Sequence, residues 1–459
     1  MDKKDAEFLV SERASLILQE VREKFKAFDE FKIANFLSRN SDLTPQERSI
    51  ILEQLDQEIR AKNKLQDVEN WVFERSSLEQ ASSQSVALFH RFISKIFGNN
   101  QVMTKILDGT AGLGIDSHFL SLDKSENTKI YVDDLTKELL GEQNLSSELS
   151  EINGFNRIQD SDLRAEVTAI EKDDAIFTLL NSNIKLSKNI SCENADVLDF
   201  LRDSDDLTQF DFMFFDPSRR SPEIKRIEHI DDFSPSPTEI LQILKEKYFA
   251  GSVGFKLAPK TPLTELSQMF ESVCTFTVSL KNEIKETFVM SSPLILNRNF
   301  AVVLKDNDSS TEIFVASESN KKIYDLDTGN ADSGKFLIHP APALRSMMLI
   351  PPDLSESSSA YNSVEPATPM IMSAKQLTSH VAQTYEILGN VKLDIGEVKK
   401  ELRKLNSYAF SIKNYHQKLN NFNFNALSAK KGQPAYLFLV RSDEGSRCLI
   451  TKRIDQEQS

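Results

Sequence analysis

The residues richest in chemistry are Asp108-Gly109-Thr110-Ala111-Gly112-Leu113-Gly114-Ile115-Asp116-Ser117, which come directly after the apolar pair Ile106-Leu107. A buried strand, a glycine turn and a helix start are the place where a parallel α/β sheet receives the adenosine end of a ligand. Gly112 and Gly114 lack a β-carbon, so backbone there can approach a bound group and reach dihedrals other residues avoid. A dinucleotide fingerprint needs a third glycine, and Ser117 stands in its place. Asp108 and Asp116 flank the turn. Carboxylates on both sides repel a pyrophosphate and suit a ligand with a positive centre.

More carboxylates end apolar runs downstream. Val167-Thr168-Ala169-Ile170-Glu171 reads as a second parallel strand, with Glu171 placed to hold both ribose hydroxyls and Lys172 beside it. Ile190 to Val197 reads as a third strand and turn, where Asp196 either accepts the adenine amino group or caps the helix that Val197 opens. Phe210-Asp211-Phe212-Met213-Phe214-Phe215 is a fourth strand that stops at Asp216-Pro217. Proline fixes the turn and removes a donor, which leaves a carboxylate and carbonyls at the reacting edge of the sheet. Arg219 and Arg220 come next; each can stack on or pair with a substrate, or pair with Glu228, Asp231 or Asp232. A fifth strand, Ser252 to Lys256, completes the series.

The order D-G-T-A-G-L-G-I-D-S, I-E-K-D, E-N-A-D-V, F-F-D-P-S-R-R and G-F-K-L-A-P resembles class I S-adenosylmethionine-dependent methyltransferases. More narrowly, it resembles a bacterial family with a D-P-A-R-R motif, a ferredoxin-like segment and a C-terminal THUMP-like domain. Glu79-Gln80-Ala81-Ser82-Ser83-Gln84 is similar to that family's E-Q-x-S-S-E, and Lys413-Asn414-Tyr415, Gly432 and Tyr436-Leu437-Phe438 to its end. The resemblance implies an α/β fold: a Rossmann-like seven-stranded methyltransferase sheet, an N-terminal helical domain and a C-terminal α+β THUMP-like module. It implies S-adenosylmethionine as cofactor, held by Ser82, Ser83, Asp108, Thr110, Ala111, Gly112, Gly114, Asp116, Glu171, Lys172, Asp196 and Val197. Ser82 and Ser83 otherwise only cap the next helix. Asp216, Pro217, Arg219 and Arg220 become the catalytic edge. Two departures stand out: Ser218 replaces the commoner alanine, and Gln84 a glutamate.

THUMP modules elsewhere imply structured RNA as partner, yet the 459-residue chain carries a net charge of −14. That argues against a generic phosphate-neutralising surface, so RNA needs local basic patches. Lys256 and the run Lys399, Lys400, Arg403, Lys404 are the candidate substrate contacts; solvated faces or salt bridges are the bland alternative. A catalytically silent RNA scaffold, or a methyltransferase of protein or small molecules, are the competing functions. The scattered Cys192, Cys274 and Cys448 and the six histidines offer no metal spacing. The start of the chain has no signal-peptide core, and no apolar run reaches the ~20 residues of a membrane span. A cytoplasmic protein with no membrane or metal partner is expected.

The elements that must position these groups divide as 1–97 (helical domain, with Thr44, Pro45 and Glu47 starting one helix), 98–305 (methyltransferase sheet), 306–390 (ferredoxin-like, linking) and 391–459 (THUMP-like). Trp71 reads as a core anchor between helices and sheet. The acidic span 123–165 reads as an inserted surface lobe or mobile loop.

Overall fold

The structure, a computed structural model, describes all residues except 99–102, 124–127, 141–146, 153–154, 159–163, 186, 220–228, 260, 262–271, 293–296, 308–309, 321, 324–334, 355–360, 364–369, 416–426, 428–431, 443–444 and 455–459. Helices α1 (Lys3–Leu9), α2 (Glu12–Lys24), α3 (Glu30–Ser38) and α4 (Pro45–Ala61) open the chain. Thr44 and Glu47 close the expected capping box: each side chain bonds the other's backbone N–H, at 3.2 and 2.7 Å. Trp71 is buried, its ring edge-on to His118 at 5.5 Å. Helix α5 (Arg75–Gln80) leads into α6 (Gln84–Phe97), which is buried from Ser85 to Phe97. These helices and the strands beyond them share one apolar core, so the first 97 residues are continuous with the sheet.

The remaining elements of the first part are β1 (Met103–Asp108), α7 (Ile115–Leu120), β2 (Thr128–Val132), α8 (Asp134–Leu140), β3 (Ser147–Ile152), β4 (Phe155–Ile158), β5 (Arg164–Glu171), α9 (Asp174–Asn183), β6 (Ile190–Asn194) and α10 (Val197–Asp203). They continue with β7 (Phe212–Phe215), β8 (Ser218–Arg219), β9 (Phe233–Ser234), α11 (Pro237–Glu246), β10 (Ser252–Leu257), β11 (Val273–Leu280), β12 (Glu283–Ser291), β13 (Arg298–Asn307) and β14 (Ser310–Ser317). The large sheet runs β6-β5-β1-β7-β10-β12-β11-β13-β14-β2-β4-β3. From β6 to β10 every pairing is parallel, and β12 enters antiparallel between β10 and β11. Strand order reverses on either side of β1, which opens a crevice at the strands' carboxyl ends. β7 shows why this segment is an unbroken apolar run. Phe212 and Phe214 join the core beneath α6, while Met213 and Phe215 join the opposite core with α10 and α11; parallel strands are covered on both faces.

Several sequence expectations need correction, beginning with the sheet itself, which has twelve strands rather than seven. The span 123–165 is not only a surface lobe: β2 pairs in parallel with β14 and antiparallel with β4, extending the sheet to twelve strands. Ile130 and Val132 bury in one core and Tyr131 in another, an alternation the surrounding acidic residues obscure. One of those acids is structural: Asp133 accepts backbone N–H groups from Thr136 and Ser317 at 2.6 and 2.7 Å. The sheet also runs past residue 305, because β13 and β14 form one hairpin paired from Phe300–Ser317 to Asn307–Ser310.

A second, seven-stranded sheet uses β15 (Phe336–Pro340), β16 (Tyr361–Ser363), β17 (Ile371–Ser373), β18 (Ala382–Lys392), β19 (Ser407–Asn414), β20 (Gln433–Ser442) and β21 (Gly445–Arg453), in the order β16-β17-β15-β18-β21-β20-β19. β18 crosses residue 390, so the segments expected as 306–390 and 391–459 share this sheet. The helix Ile395–Lys404 packs Val398 and Leu402 against one face. The chain is thus an α/β protein with N-terminal helices, a large mixed sheet and a second C-terminal sheet. No described helix is long and apolar enough to cross a membrane.

Candidate active site

The turn after β1 is held from below. Asp108 is fully buried; its Oδ2 accepts the Ser117 hydroxyl at 2.6 Å and its Oδ1 the Thr110 N–H at 3.3 Å. Burial and the nearby Asp116 push this carboxyl up to about 7, against those two hydrogen bonds. Gly112 and Gly114 have φ of +55° and +84°, where a β-carbon is strained. A β-carbon on Gly114 would meet Leu180 Cδ1 at 2.6 Å, whereas one on Gly112 would meet nothing within 4 Å. Gly114 is needed for packing. Gly112 borders open space.

That space is a cleft of about 270 Å³ between the turn and the ends of β5, β6 and β7. Thr110, Ala111, Gly112 and Asp116 line it, with Glu171, Lys172, Asp196 and Val197 on the β5–β6 side and Asp216 on the β7 side. Glu171 Oε2 accepts the Gly112 N–H at 3.1 Å and Oε1 the Asp173 N–H at 2.8 Å. Burial nonetheless raises the Glu171 carboxyl above its ordinary range. Asp196 caps α10, its Oδ1 accepting the Leu198 N–H at 2.9 Å, and the residue also lines the cleft, with Lys172 Nζ 3.6 Å from Oδ2. The structure differs at four expected positions. Gly114 packs against Leu180 and Ile184 rather than lining the cleft. Asp108 lies beneath the turn rather than in the cleft wall. Ser82 and Ser83 are also outside that wall, and neither hydroxyl makes a hydrogen bond; Ser82 sits close enough to Asp116 to favour its charged form, but outside hydrogen-bond geometry. The wall is built instead by Ser77, Gln80 and Ala81 at the end of α5.

Asp216 comes directly after β7. Its N–H donates to Thr110 Oγ1 at 2.6 Å, which ties the fourth strand's end to the glycine turn. Its Oδ2 lies 2.5 Å from Lys256 Nζ, on β10. Burial raises the Asp216 carboxyl above its ordinary range, with Lys256 opposing. Burial would discharge Lys256, but Asp216, Asp116 and Glu286 push it the other way and keep it an ammonium. Pro217 is buried, and Ser218 lines the cleft. Arg219 lies in β8, paired with β9, and its side chain is not described; Arg220 and Glu228 fall outside the described residues. Lys399, Lys400, Arg403 and Lys404 lie on the helix of the second sheet, away from the cleft wall, with Lys404 paired to Glu401 at 3.0 Å.

Sequence reading missed the group beneath the cleft. His90 of α6 is fully buried between Asp116 Oδ1 (2.8 Å from Nδ1) and Glu286 Oε1 of β12 (2.7 Å from Nε2). Burial alone would lower its pKa, but the two carboxylates raise it to about 9. The imidazolium in turn overcomes the burial of Asp116 and holds that carboxyl below its ordinary range. The available signal was a histidine midway along a helix that is buried throughout its length. Lys64 was missed too: Nζ donates to the Leu78, Glu79 and Ala81 carbonyls at 2.7–2.9 Å, and Lys256 reaches the Gln80 carbonyl at 3.4 Å, so two lysines clamp the end of α5. The residue at the departure, Gln84, accepts the Gln66 N–H at 3.1 Å, a contact that needs no charge.

Among the described residues the cleft wall therefore presents Glu171, Asp196, Asp116 and Asp216 against Lys172 alone, and Lys256, expected as a substrate contact, lies outside the wall and pairs with Asp216. That balance disfavours a polyphosphate and suits an uncharged sugar and base joined to a cationic centre. Among the described residues no group of three or more His, Cys, Asp or Glu could hold a metal ion.

No family model and no curated protein matches the chain. Solved structures do. One from Porphyromonas gingivalis W83, provisionally assigned as a methyltransferase, is 18% identical with a TM-score of 0.64, covering 97% of this chain and 99% of that one. A Listeria monocytogenes protein, provisionally a class I S-adenosylmethionine-dependent methyltransferase, is 12% identical (TM-score 0.31, 65% of this chain and 92% of that one). The tRNA (m1A58) methyltransferase of Aquifex aeolicus is 15% identical (TM-score 0.28, 48% and 71%). The near full-length match carries the argument, and it is an argument about architecture: over nearly its whole length the chain has the fold of the Porphyromonas gingivalis structure.

Proposed function

We propose that the protein is an S-adenosylmethionine-dependent methyltransferase acting on RNA. The observation that carries the reading is the open space in front of Gly112, walled by Glu171 on one side and Asp216 on the other. The residues present fit the cofactor. Glu171 offers carboxylate oxygens to ribose hydroxyls, Asp196 to an exocyclic amine, and the acidic cleft complements a sulfonium. When bound, S-adenosylmethionine supplies an electrophilic methyl group.

The chain's own residues do the rest. Methyl transfer is an in-line displacement, so positioning and exclusion of water supply most of the acceleration. Asp216, at the strand end, accepts a hydrogen of an acceptor amine and aims its lone pair. Lys256 holds that carboxylate in one orientation and opposes the rise in its pKa that burial causes. The Thr110 hydroxyl fixes the backbone of Asp216, so the cofactor turn and the acceptor edge move as one unit. RNA as acceptor rests on the resemblance of the C-terminal segment.

Calorimetric titration of the full chain with S-adenosylmethionine, then tritiated-methyl transfer to total RNA and total protein, tests this. Micromolar binding and label in RNA are expected. Label confined to protein would replace the substrate. An absence of cofactor binding by folded protein would remove the function.

A further inference from the structure

Under the cleft the charges do not balance. His90 touches Asp116 and Glu286, and Lys256 touches Asp216. Three carboxylates thus share two cations, and among the described residues no other cation lies within ion-pair distance of them. Glu286 Oε2 is buried with no hydrogen-bond partner among the described residues, and so is the Ser82 hydroxyl beside Asp116. Asp116 itself gives Oδ1 to His90. Its Oδ2 has no hydrogen-bond partner among the described residues, is not fully enclosed, and belongs to a residue that lines the cleft. A buried set of charges one cation short is costly unless a ligand brings the missing charge. We infer that Asp116 is the counter-charge of the cofactor's sulfonium, so that the cleft binds S-adenosylmethionine in preference to its uncharged thioether product; the inference rests on the reading of the protein as an S-adenosylmethionine-dependent methyltransferase.

Strand order decides which part of the ligand Asp116 meets. Across the cleft the large sheet runs β6-β5-β1-β7. Asp196 stands after β6, Glu171 ends β5 and Asp216 follows β7. With base and ribose held at the first two and the acceptor at the last, the sulfur that joins ribose to methyl falls between β5 and β7, over the turn of β1. Asp116, in the first turn of α7, is the carboxylate that the cleft wall carries there. Gly112 leaves the approach open, since a β-carbon on it would meet nothing within 4 Å. Asp108, the other carboxylate of the turn, lies beneath it and is engaged by Ser117 and Thr110.

Charge then separates cofactor from product. Burial would protonate Asp116, but His90 and Lys256 outweigh it and hold the carboxyl below its ordinary range, so a ligand meets an anion. When the methyl group leaves, the bonding pair stays on sulfur and the cation becomes a neutral thioether. Base, ribose and amino-acid end are the same before and after. The ion pair is the part of the binding that disappears, and in a partly dry wall it is stronger than in water. Product is thereby released rather than retained.

The test is calorimetry of the full-length chain near neutral pH against three ligands: S-adenosylmethionine, S-adenosylhomocysteine and sinefungin, which carries an amine-bearing carbon in place of the methylated sulfur. The parent should bind the two cationic ligands about ten-fold or more tighter than S-adenosylhomocysteine. Asp116→Asn keeps the shape and an acceptor for His90. It should hold the affinity for S-adenosylhomocysteine and bring the other two to within about three-fold of it. Equal or tighter binding of S-adenosylhomocysteine by the parent overturns the inference, and that measurement needs no variant. Sinefungin that groups with S-adenosylhomocysteine overturns it too, because methyl contact and not charge then makes the difference. So does a preference that survives in folded Asp116→Asn. A uniform loss for all three ligands in that variant puts the carboxylate on the α-ammonium they share, and likewise overturns it. If folded parent binds none of the three, the underlying reading falls instead.

Discussion

At the residue scale the two glycines of the turn separate packing from binding. Gly112→Val places a side chain in open space at φ +55°, a left-handed position that costs a non-glycine about 1–2 kcal/mol. The variant should stay folded, melt a few degrees lower, and lose S-adenosylmethionine binding by calorimetry. Gly114→Ala meets Leu180 and Ile184 at once, so it should cost more stability than Gly112→Val despite being the smaller change. Denaturant melts that rank the two the other way would contradict the assignment. Asp216 gives a second test. Asp216→Asn keeps the shape and the Thr110 tie but lowers hydrogen-bond acceptance, so cofactor affinity should hold while turnover falls by at least about a hundredfold. These acidic and glycine positions were legible because chemistry there depends on residue type at a strand end. Ser77, Gln80 and Lys64 were not, because their roles run through backbone carbonyls and position, which leave no mark on residue type.

At the element scale the buried charges tie α6, α7 and β12 together under the cleft. His90 has a folded pKa raised to about 9 from an ordinary 6.5. The folded state therefore binds its proton more tightly, and the stabilisation is full below pH 6.5 and lost as pH rises through 9. Asp116 is lowered, so its share is present above the ordinary carboxylate range and lost as pH falls through the folded value. Asp108, raised to about 7, works against stability as pH climbs to 7 and adds no further change above it. Lys64, lowered to about 8, makes stability rise between 8 and 10.5. Between pH 7 and 8 His90 dominates, and urea melts should show stability falling there by up to about 1 kcal/mol. His90→Gln should flatten that slope and lower stability at pH 7, because it removes the cation bonded directly to two buried carboxylates. An unchanged slope in the variant would show that His90 does not carry the proton. Sequence periodicity identified α6 but not this role, since Asp116 and Glu286 are 26 and 196 residues away.

At the scale of the whole molecule, the parallel strands were legible because each is an apolar run ending in a turn with functional groups. The strand order was not legible beyond β12: β2 leaves the β1 neighbourhood and joins the opposite part of the sheet, a long-range pairing no local pattern encodes. The expected boundary at 305 rested on a polar hairpin tip, and composition marks tips as readily as linkers. The packing between the two sheets decides what can be cut. Ala301, Val303, Phe314 and Ala316 of the large sheet share a buried cluster with Ala343, Leu344, Leu349 and Val381 from the second part of the chain. A protein ending at Asn320 would expose the large sheet's side of that cluster. Burial of a Val- or Phe-sized side chain contributes about 1.5–3 kcal/mol, so several exposed together consume much of a domain's net stability. The truncated chain should melt well below the parent, bind a hydrophobic dye at pH 7 and self-associate in sedimentation experiments. Parental melting without dye binding would show that the large sheet is complete without the second, and that the cluster adds nothing to the cleft's foundation.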